Sequence, residues 1–188
     1  TSYQISPDGK YYSYMAPYEN RMNVFVQEKG SDEIIQLTAE TDRSVAGYFW
    51  PNSERILYLK DTGGDENYKL YGINIDSTNA IAYTEFDGVR TQIIDGLPDI
   101  PNEVIIGLNK RNPQVFDPYR LNLETGEMEM LAENPGNIQG WMFDHDGKLR
   151  IALAIVDGVN VSLLYRETEA DEWESVLTTS FKDNLSPK

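Results

Sequence analysis

The sequence predicts an all-β protein, a β-propeller segment of about four four-stranded antiparallel blades. Three observations predict this fold class. Short apolar runs bounded by turn residues recur along the whole chain, no window of about 11 residues keeps the apolar spacing of an amphipathic helix, and the runs return at a nearly constant step. They predict fifteen strands, at 11–16, 23–27, 33–38, 45–50, 55–60, 69–75, 81–86, 91–95, 103–108, 119–123, 127–132, 138–143, 149–156, 161–166 and 174–179.

The step between these units is regular. Val45, Thr91 and Ile138 each begin the first strand of a unit, at intervals of 46 and 47 residues. The turn at 7–10, PDGK, returns as HDGK at 145–148. A four-stranded unit that recurs about every 40–50 residues is typical of a propeller blade. The alternative, a β-sandwich with accidental periodicity, gives no reason for the turns to repeat.

The character of each run indicates its place in a blade. Second strands are apolar on both faces, at 56–59, 104–106 and 151–155, as expected where blades pack face to face and cover both sides. The fourth strand at 127–130 alternates apolar and polar residues, which suits an outer strand with one wet face.

The blades are expected at 2–40, 44–87, 90–134 and 137–180, all within one partial domain of 188 residues. We expect the first blade to lack its innermost strand, because 2–6 leaves little room for one. Residues 181–188 are expected to form a polar tail that leads to a missing next blade. This count fits a piece of a larger ring or a small ring closed by a terminal strand.

Composition excludes several classes of function. The chain has 16 Lys and Arg against 31 Asp and Glu, and its formal net charge of −15 argues against nucleic acid and against an anionic membrane surface as partners. It has no Cys, so disulfides and Cys-based metal sites are excluded. The first residues carry neither a basic nor an apolar stretch, so we expect no targeting segment here. The compartment stays open, since cytoplasm and periplasm both fit.

Catalytic signals are weak. No Ser lies in a Gly-x-Ser-x-Gly motif, the strand-to-helix turn that carries the nucleophile of α/β-hydrolases. His145, the only His, lies in the repeated turn and is expected to be structural, although it could act as a base beside Asp144 or Asp146. Asp144 and Asp146 could begin a calcium-binding loop. Lys148, Leu149 and Arg150 follow them, however, where such a loop would need oxygen ligands. We therefore predict no catalytic residue, no metal site and no cofactor.

The connections between second and third strands are the candidate binding surface. They lie at 17–21, 61–67 and 109–117, and they are the longest and most polar loops of the sequence. Blade topology places such connections on one face of a propeller, and loops on a rigid scaffold are common binding sites. Tolerated surface loops are the structural alternative. The candidate contact residues, for substrate or for another domain, are Asn20, Arg21, Asp65, Glu66, Asn67, Arg111 and Asp117.

The sequence resembles a known family. The segment ISPDGKY at 5–11 is similar to the opening of TolB-like propeller repeats. More specific segments are ILYLKD at 56–61, GGDENY at 63–68 with LY at 70–71, GLNKR at 107–111, DPYRL at 117–121 with ETGE at 124–127, and AENPGN at 132–137. Together they resemble the N-terminal propeller of the prolyl oligopeptidase family of serine peptidases, nearest to its acylaminoacyl-peptidase and dipeptidyl-peptidase-like members.

The resemblance implies a division of labour. In that family a propeller of about seven blades precedes an α/β-hydrolase domain that carries the catalytic triad. The propeller covers the active site and limits access to peptides. The implied partners are that C-terminal hydrolase domain of the same parent chain and a peptide substrate. Open blade edges would also favour self-association.

The sequence thus favours a non-catalytic propeller segment that gates and scaffolds peptide access in a serine peptidase. An alternative is a stand-alone TolB-like propeller that binds a protein or glycan partner. A weaker alternative is a complete hydrolase that uses surface carboxylates.

Overall fold

The computed structural model describes residues 3–180 and residue 182, and these contain strands and turns but no helix. Sixteen strands form four antiparallel four-stranded sheets in which strands follow chain order. This confirms the predicted all-β fold. The chain divides into two compact units, Thr1–Gln92 and Ile93–Lys188.

Sheets 1 and 2 belong to the first unit. Sheet 1 contains β1 (Tyr3–Ile5), β2 (Tyr11–Tyr18), β3 (Arg21–Glu28) and β4 (Ile34–Gln36), and sheet 2 contains β5 (Gly47–Asn52), β6 (Arg55–Lys60), β7 (Lys69–Asn74) and β8 (Ile81–Ala82).

Sheets 3 and 4 follow. Sheet 3 contains β9 (Thr91–Asp95), β10 (Glu103–Leu108), β11 (Asp117–Asn122) and β12 (Met128–Met130), and sheet 4 contains β13 (Ile138–Phe143), β14 (Leu149–Val156), β15 (Asn160–Tyr165) and β16 (Glu174–Thr179).

The first sheet is complete, so the expectation of a missing innermost strand is wrong. Tyr3 pairs with Tyr14 and Ile5 with Tyr12 across β1 and β2. Between them, Gln4 Nε2 donates a 2.8 Å hydrogen bond to the carbonyl of Tyr48. The tail at 181–188 lies, apart from residue 182, outside the described residues.

The core of the first unit lies between sheets 1 and 2. Fully buried Val24 and Val26 of β3 pack with Ile56 and Tyr58 of β6 and with Tyr48 of β5. The hydroxyl of buried Ser13 joins the two sheets, since it donates to Tyr48 Oη at 3.1 Å and accepts from Trp50 Nε1 at 2.8 Å.

The outer strands of sheets 1, 2 and 3 are shorter than predicted, whereas β16 has the predicted bounds. In sheets 1 and 2 a side-chain hydroxyl replaces the ladder after the strand. Thr38 Oγ1 accepts the backbone N–H of Val24 at 2.9 Å. One repeat later, Thr84 Oγ1 accepts the N–H of Leu70 at 2.7 Å. In sheet 3 the residue that corresponds to Val24 and Leu70 is Pro118. Its carbonyl accepts the N–H of Leu131 at 2.9 Å, but it has no backbone N–H that would need an acceptor. Position 132 is accordingly Ala.

No helix within the described ranges is long and apolar enough to cross a membrane.

Candidate contact loops between second and third strands

The longer loop of the first unit is anchored by an ion pair with a buried carboxylate. Arg43 donates to both oxygens of Asp61, from Nε at 2.8 Å and from Nη2 at 3.0 Å, and the Asp61 side chain is only 2% exposed. Asp61 also accepts the backbone N–H of Glu66 at 3.3 Å. The hydrogen bonds from Arg43 hold the pKa of Asp61 below its usual range. The pair therefore fixes both ends of the 61–66 turn.

This anchored turn presents two carboxylates. Gly63 and Gly64 adopt left-handed φ values of 62° and 86°, and Glu66 does so at 56°. Gly64 lies against Arg43, since a Cβ there would come within 3.5 Å of the Nη1 atom. Asp65 accepts the backbone N–H of Asn67 at 3.0 Å and its side-chain amide at 3.2 Å, and these bonds lower the pKa of Asp65. Asp65 and Glu66 are exposed, and Asn67 is half-buried.

The connection in sheet 1 is tighter than expected. β2 continues to Tyr18 and β3 begins at Arg21, so the predicted loop at 17–21 is a two-residue turn. Its residues, Glu19 and Asn20, have φ values of 48° and 64°, as in the tight turns that match strand twist. Arg21 donates from Nε to the carbonyl of Asp42 at 2.6 Å. Asp42 and Arg43 are neighbours in the segment between β4 and β5. This one segment therefore contacts the second-to-third connections of both sheet 1 and sheet 2.

Sheet 3 in the second unit repeats the ion-pair anchor. Arg111 Nε and Nη2 lie 3.0 Å from the two carboxylate oxygens of Asp117, and Nη2 also donates to the carbonyl of Asn134 at 2.8 Å. Asp117 accepts the backbone N–H of Asn134 at 2.7 Å. Asp117 is the first residue of β11 rather than a loop residue, and its side chain is 0% exposed against 37% for Arg111. Arg111 is thus the accessible member of the pair.

The anchoring residues Arg43 and Asn134 were not predicted as part of the candidate surface. Each lies in the connection between a fourth strand and the next first strand, which ends at the same edge of a blade as the second-to-third connection because antiparallel strands alternate in direction. The signal available was the polar AENPGN segment at 132–137. Its partner Asp117 could not be inferred from spacing.

The residues that sequence analysis considered for catalysis are dispersed. Asp144 accepts from Arg150 Nε at 2.6 Å and from the backbone N–H of Asp146 at 3.0 Å, which occupies it within its own turn. His145 is fully exposed, and its Nδ1 lies 3.6 Å from Asp99 rather than beside Asp144 or Asp146. Among the described residues, no group of three His, Asp or Glu side chains could hold a metal ion.

Two relatives match nearly the whole chain, and no family model matches it. Dipeptidyl aminopeptidase BIII of Pseudoxanthomonas mexicana is 31% identical over 185 residues, which cover 97% of this chain and 27% of that protein. Dipeptidyl peptidase family member 6 of Caenorhabditis elegans is 30% identical over 201 residues, with the same two coverages. The chain therefore spans about a quarter of the length of these relatives.

Solved structures share the fold at low sequence identity. Oligopeptidase B from Leishmania major matches with a TM-score of 0.64 and 12% identity, over 94% of this chain and 26% of that one. TolB from Acinetobacter baumannii matches with a TM-score of 0.57 and 16% identity, over 96% of this chain and 44% of that one. These similarities confirm that the four sheets are blades of a β-propeller segment.

Proposed function

We propose that this chain, a β-propeller segment that resembles those of the prolyl oligopeptidase family of serine peptidases, is the non-catalytic part that controls peptide access in such a peptidase. Its proposed partners are a C-terminal α/β-hydrolase domain of the same parent chain and the peptide substrate.

The observation that carries the proposal is the repeated anchoring of the candidate loops. In each unit, a bidentate Arg–Asp pair with a buried carboxylate holds a second-to-third connection. Such pairs fix geometry, because a planar guanidinium matches a carboxylate in one orientation. Exposed Asp65, Glu66 and Arg111 are thereby held on a fixed backbone, which reduces the entropy lost on binding. This favours a preformed contact surface over surface loops that have no binding role.

Exposed apolar faces in sheets 1 and 4 support the presence of further blades in the parent chain. In sheet 2 the cross-strand row Tyr48, Tyr58 and Tyr71 packs against sheet 1. The corresponding row in sheet 1 is Tyr3, Tyr14 and Phe25, where Tyr3 is 67% exposed. The rings stack alike, since Tyr58 and Tyr71 lie 5.4 Å apart and Tyr14 and Phe25 lie 5.7 Å apart.

Sheet 4 has an open face of the same kind. Leu153, Leu163 and Leu177 form a cross-strand row, and Leu177 is 47% exposed. On the opposite face, Ala152, Ala154 and Ser162 are at most 1% exposed. We infer that adjoining sheets of the parent chain cover both open faces.

The test uses the parent peptidase with alanine at Asp65, Glu66 or Arg111. We expect a higher KM for peptide substrates in at least one variant, at unchanged kcat for a small ester. Asp32→Ala is the matched control, because Asp32 is an exposed carboxylate in the third-to-fourth connection of sheet 1. If all three variants behave like Asp32→Ala, these loops do not contact the peptide.

A further inference from the structure

The second unit contains a cavity at the opposite end of its strands from the Arg111 loop. Its volume is about 500 Å³, within the range of small-molecule sites. It lies where the first-to-second connections of sheets 3 and 4 meet. Apolar side chains dominate its lining, namely Leu97, Pro98, Met142, Phe143 and Ile151.

The wall of the cavity is held in one conformation. Leu97 adopts a left-handed φ of 44°, which is strained for a non-glycine residue and persists only where the surroundings impose it. Asp95 Oδ1 accepts the Leu97 N–H at 2.9 Å, and Leu97 is 4% exposed. Gly147 packs against it, since a Cβ there would come within 3.4 Å of the Leu97 side chain. The cavity is therefore preformed.

The charges at the cavity do not balance. Asp95, Asp99 and Asp144 line it together with one cation, Arg150, and with His145. Arg150 Nε donates to Asp144 at 2.6 Å, so one of the three carboxylates already has a cationic partner. Asp99 is 69% exposed, and His145 Nδ1 lies 3.6 Å from it. The rim therefore carries a net negative charge above an apolar floor.

We propose that this cavity binds an amphipathic cation, that is, an apolar group that carries an ammonium or guanidinium group. The apolar part packs on Met142, Phe143 and Ile151, and the cation pairs with Asp99. This site is independent of the peptide-access function proposed above and involves none of its loops.

The test is NMR of the full 188-residue chain labelled at its methionine methyl groups. Met142 lines the cavity, whereas Met15 and Met22 lie in sheet 1 and serve as internal references. The probes are 2-phenylethylamine and 3-phenylpropionate, which share an aromatic ring and differ in the sign of their charge. We expect the amine to shift Met142 saturably, and the carboxylate to leave it unchanged.

Two variants locate the charge. Asp99→Asn should weaken amine binding by about two- to fivefold, the range for an exposed ion pair. Asp157→Asn is the control, because Asp157 lies in the exposed turn at the other end of sheet 4 with a φ of 53° that Asn tolerates. Equal responses to the two probes, an unsaturable shift, or equal affinities in the two variants would overturn the proposal.

Discussion

Asp61 and Asp117 are buried carboxylates whose oxygens are used within the fold. Asp117 satisfies Arg111 and the backbone N–H of Asn134 with the same side chain. Removing one partner of a buried charged network leaves polar groups without hydrogen bonds, and the cost exceeds the net value of the intact pair.

Asp117→Ala is therefore expected to lower the free energy of unfolding by about 2–4 kcal/mol. Urea denaturation followed by tryptophan fluorescence measures it. Asp65→Ala removes an exposed carboxylate of the other loop and should change stability by less than about 1 kcal/mol. Similar losses in the two variants would contradict the anchoring role of Asp117.

Asp8 provides a prediction about pH. Its carboxylate accepts from the Ser6 hydroxyl at 2.7 Å and from the Lys10 N–H at 3.1 Å, and Lys10 Nζ lies 3.0 Å away. These contacts, the Ser6 hydroxyl foremost, lower the pKa of Asp8 to about 2. Because the folded pKa is depressed, the stabilisation is present above the unfolded pKa of about 4 and is lost as the pH falls through about 2.

Carboxyl NMR titration should give Asp8 a pKa near 2. Ser6→Ala removes the main donor and should raise this pKa toward its ordinary value. An unchanged titration in Ser6→Ala would show that the hydroxyl does not control the carboxylate.

At the scale of an element, a threonine hydroxyl ends the outer strand in each of sheets 1 and 2. Buried Thr84 accepts the N–H of Leu70 at 2.7 Å and lies 2.7 Å from Thr91 Oγ1. Leu70 is 0% exposed, so no water can replace the hydroxyl. Sheet 3 needs no such residue, because Pro118 lacks the donor.

Thr84→Val keeps the shape of the side chain and leaves the Leu70 N–H unpaired. We expect a loss of about 1–3 kcal/mol in unfolding free energy, the penalty for a buried donor without an acceptor, measured by thermal and urea denaturation. Thr125→Val, in an exposed turn of sheet 3, should be nearly neutral. A neutral Thr84→Val would mean that another group satisfies Leu70.

Elements were predictable where burial left a clear pattern. The inner strands at 55–60, 103–108 and 149–156 match β6, β10 and β14, because covered strands are apolar on both faces. β1 was missed, since three residues, two of them exposed, carry little pattern. The outer strands of sheets 1 and 2 were predicted too long, because the apolar Leu37 and Tyr83 continue past Gln36 and Ala82 while a threonine ends the ladder.

The candidate surface was predicted only in part for a related reason. Exposed Asp65 and Glu66 follow two glycines, a local signal that sequence shows directly. The partners that hold the loops, Arg43 for Asp61 and Asn134 for Arg111, lie 18 and 23 positions away. Such contacts depend on how strands pair, and a single sequence does not specify them.

At the scale of the whole molecule, the net charge and the exposed apolar faces have opposite effects on self-association. The formal charge of −15 makes copies of the chain repel one another, whereas the exposed Tyr3 and Ile5 of sheet 1 and Leu177 of sheet 4 favour association. Salt screens the first effect, with a Debye length of about 10 Å at 0.1 M and about 3 Å at 1 M, and it does not weaken the second.

The isolated chain should therefore self-associate at micromolar concentration, and more strongly as sodium chloride rises from 0.1 to about 1 M. Sedimentation velocity measures this. The double variant Tyr3→Ser and Ile5→Ser should shift the distribution toward monomer, whereas Val159→Ser, in an exposed turn, should not. A compact monomer at every salt concentration would contradict the idea that these faces need cover.

The tyrosine row of sheet 2 packs on the face of sheet 1 that carries Val24 and Val26, so this contact has a direction. Sheet 1 carries a similar aromatic row, Tyr3, Tyr14 and Phe25, on its opposite face. A gene that duplicated a 46-residue segment of this kind would thus join a valine-bearing face to an aromatic row that already fits such a face. At this contact, a change in blade number by duplication would not require a new interface.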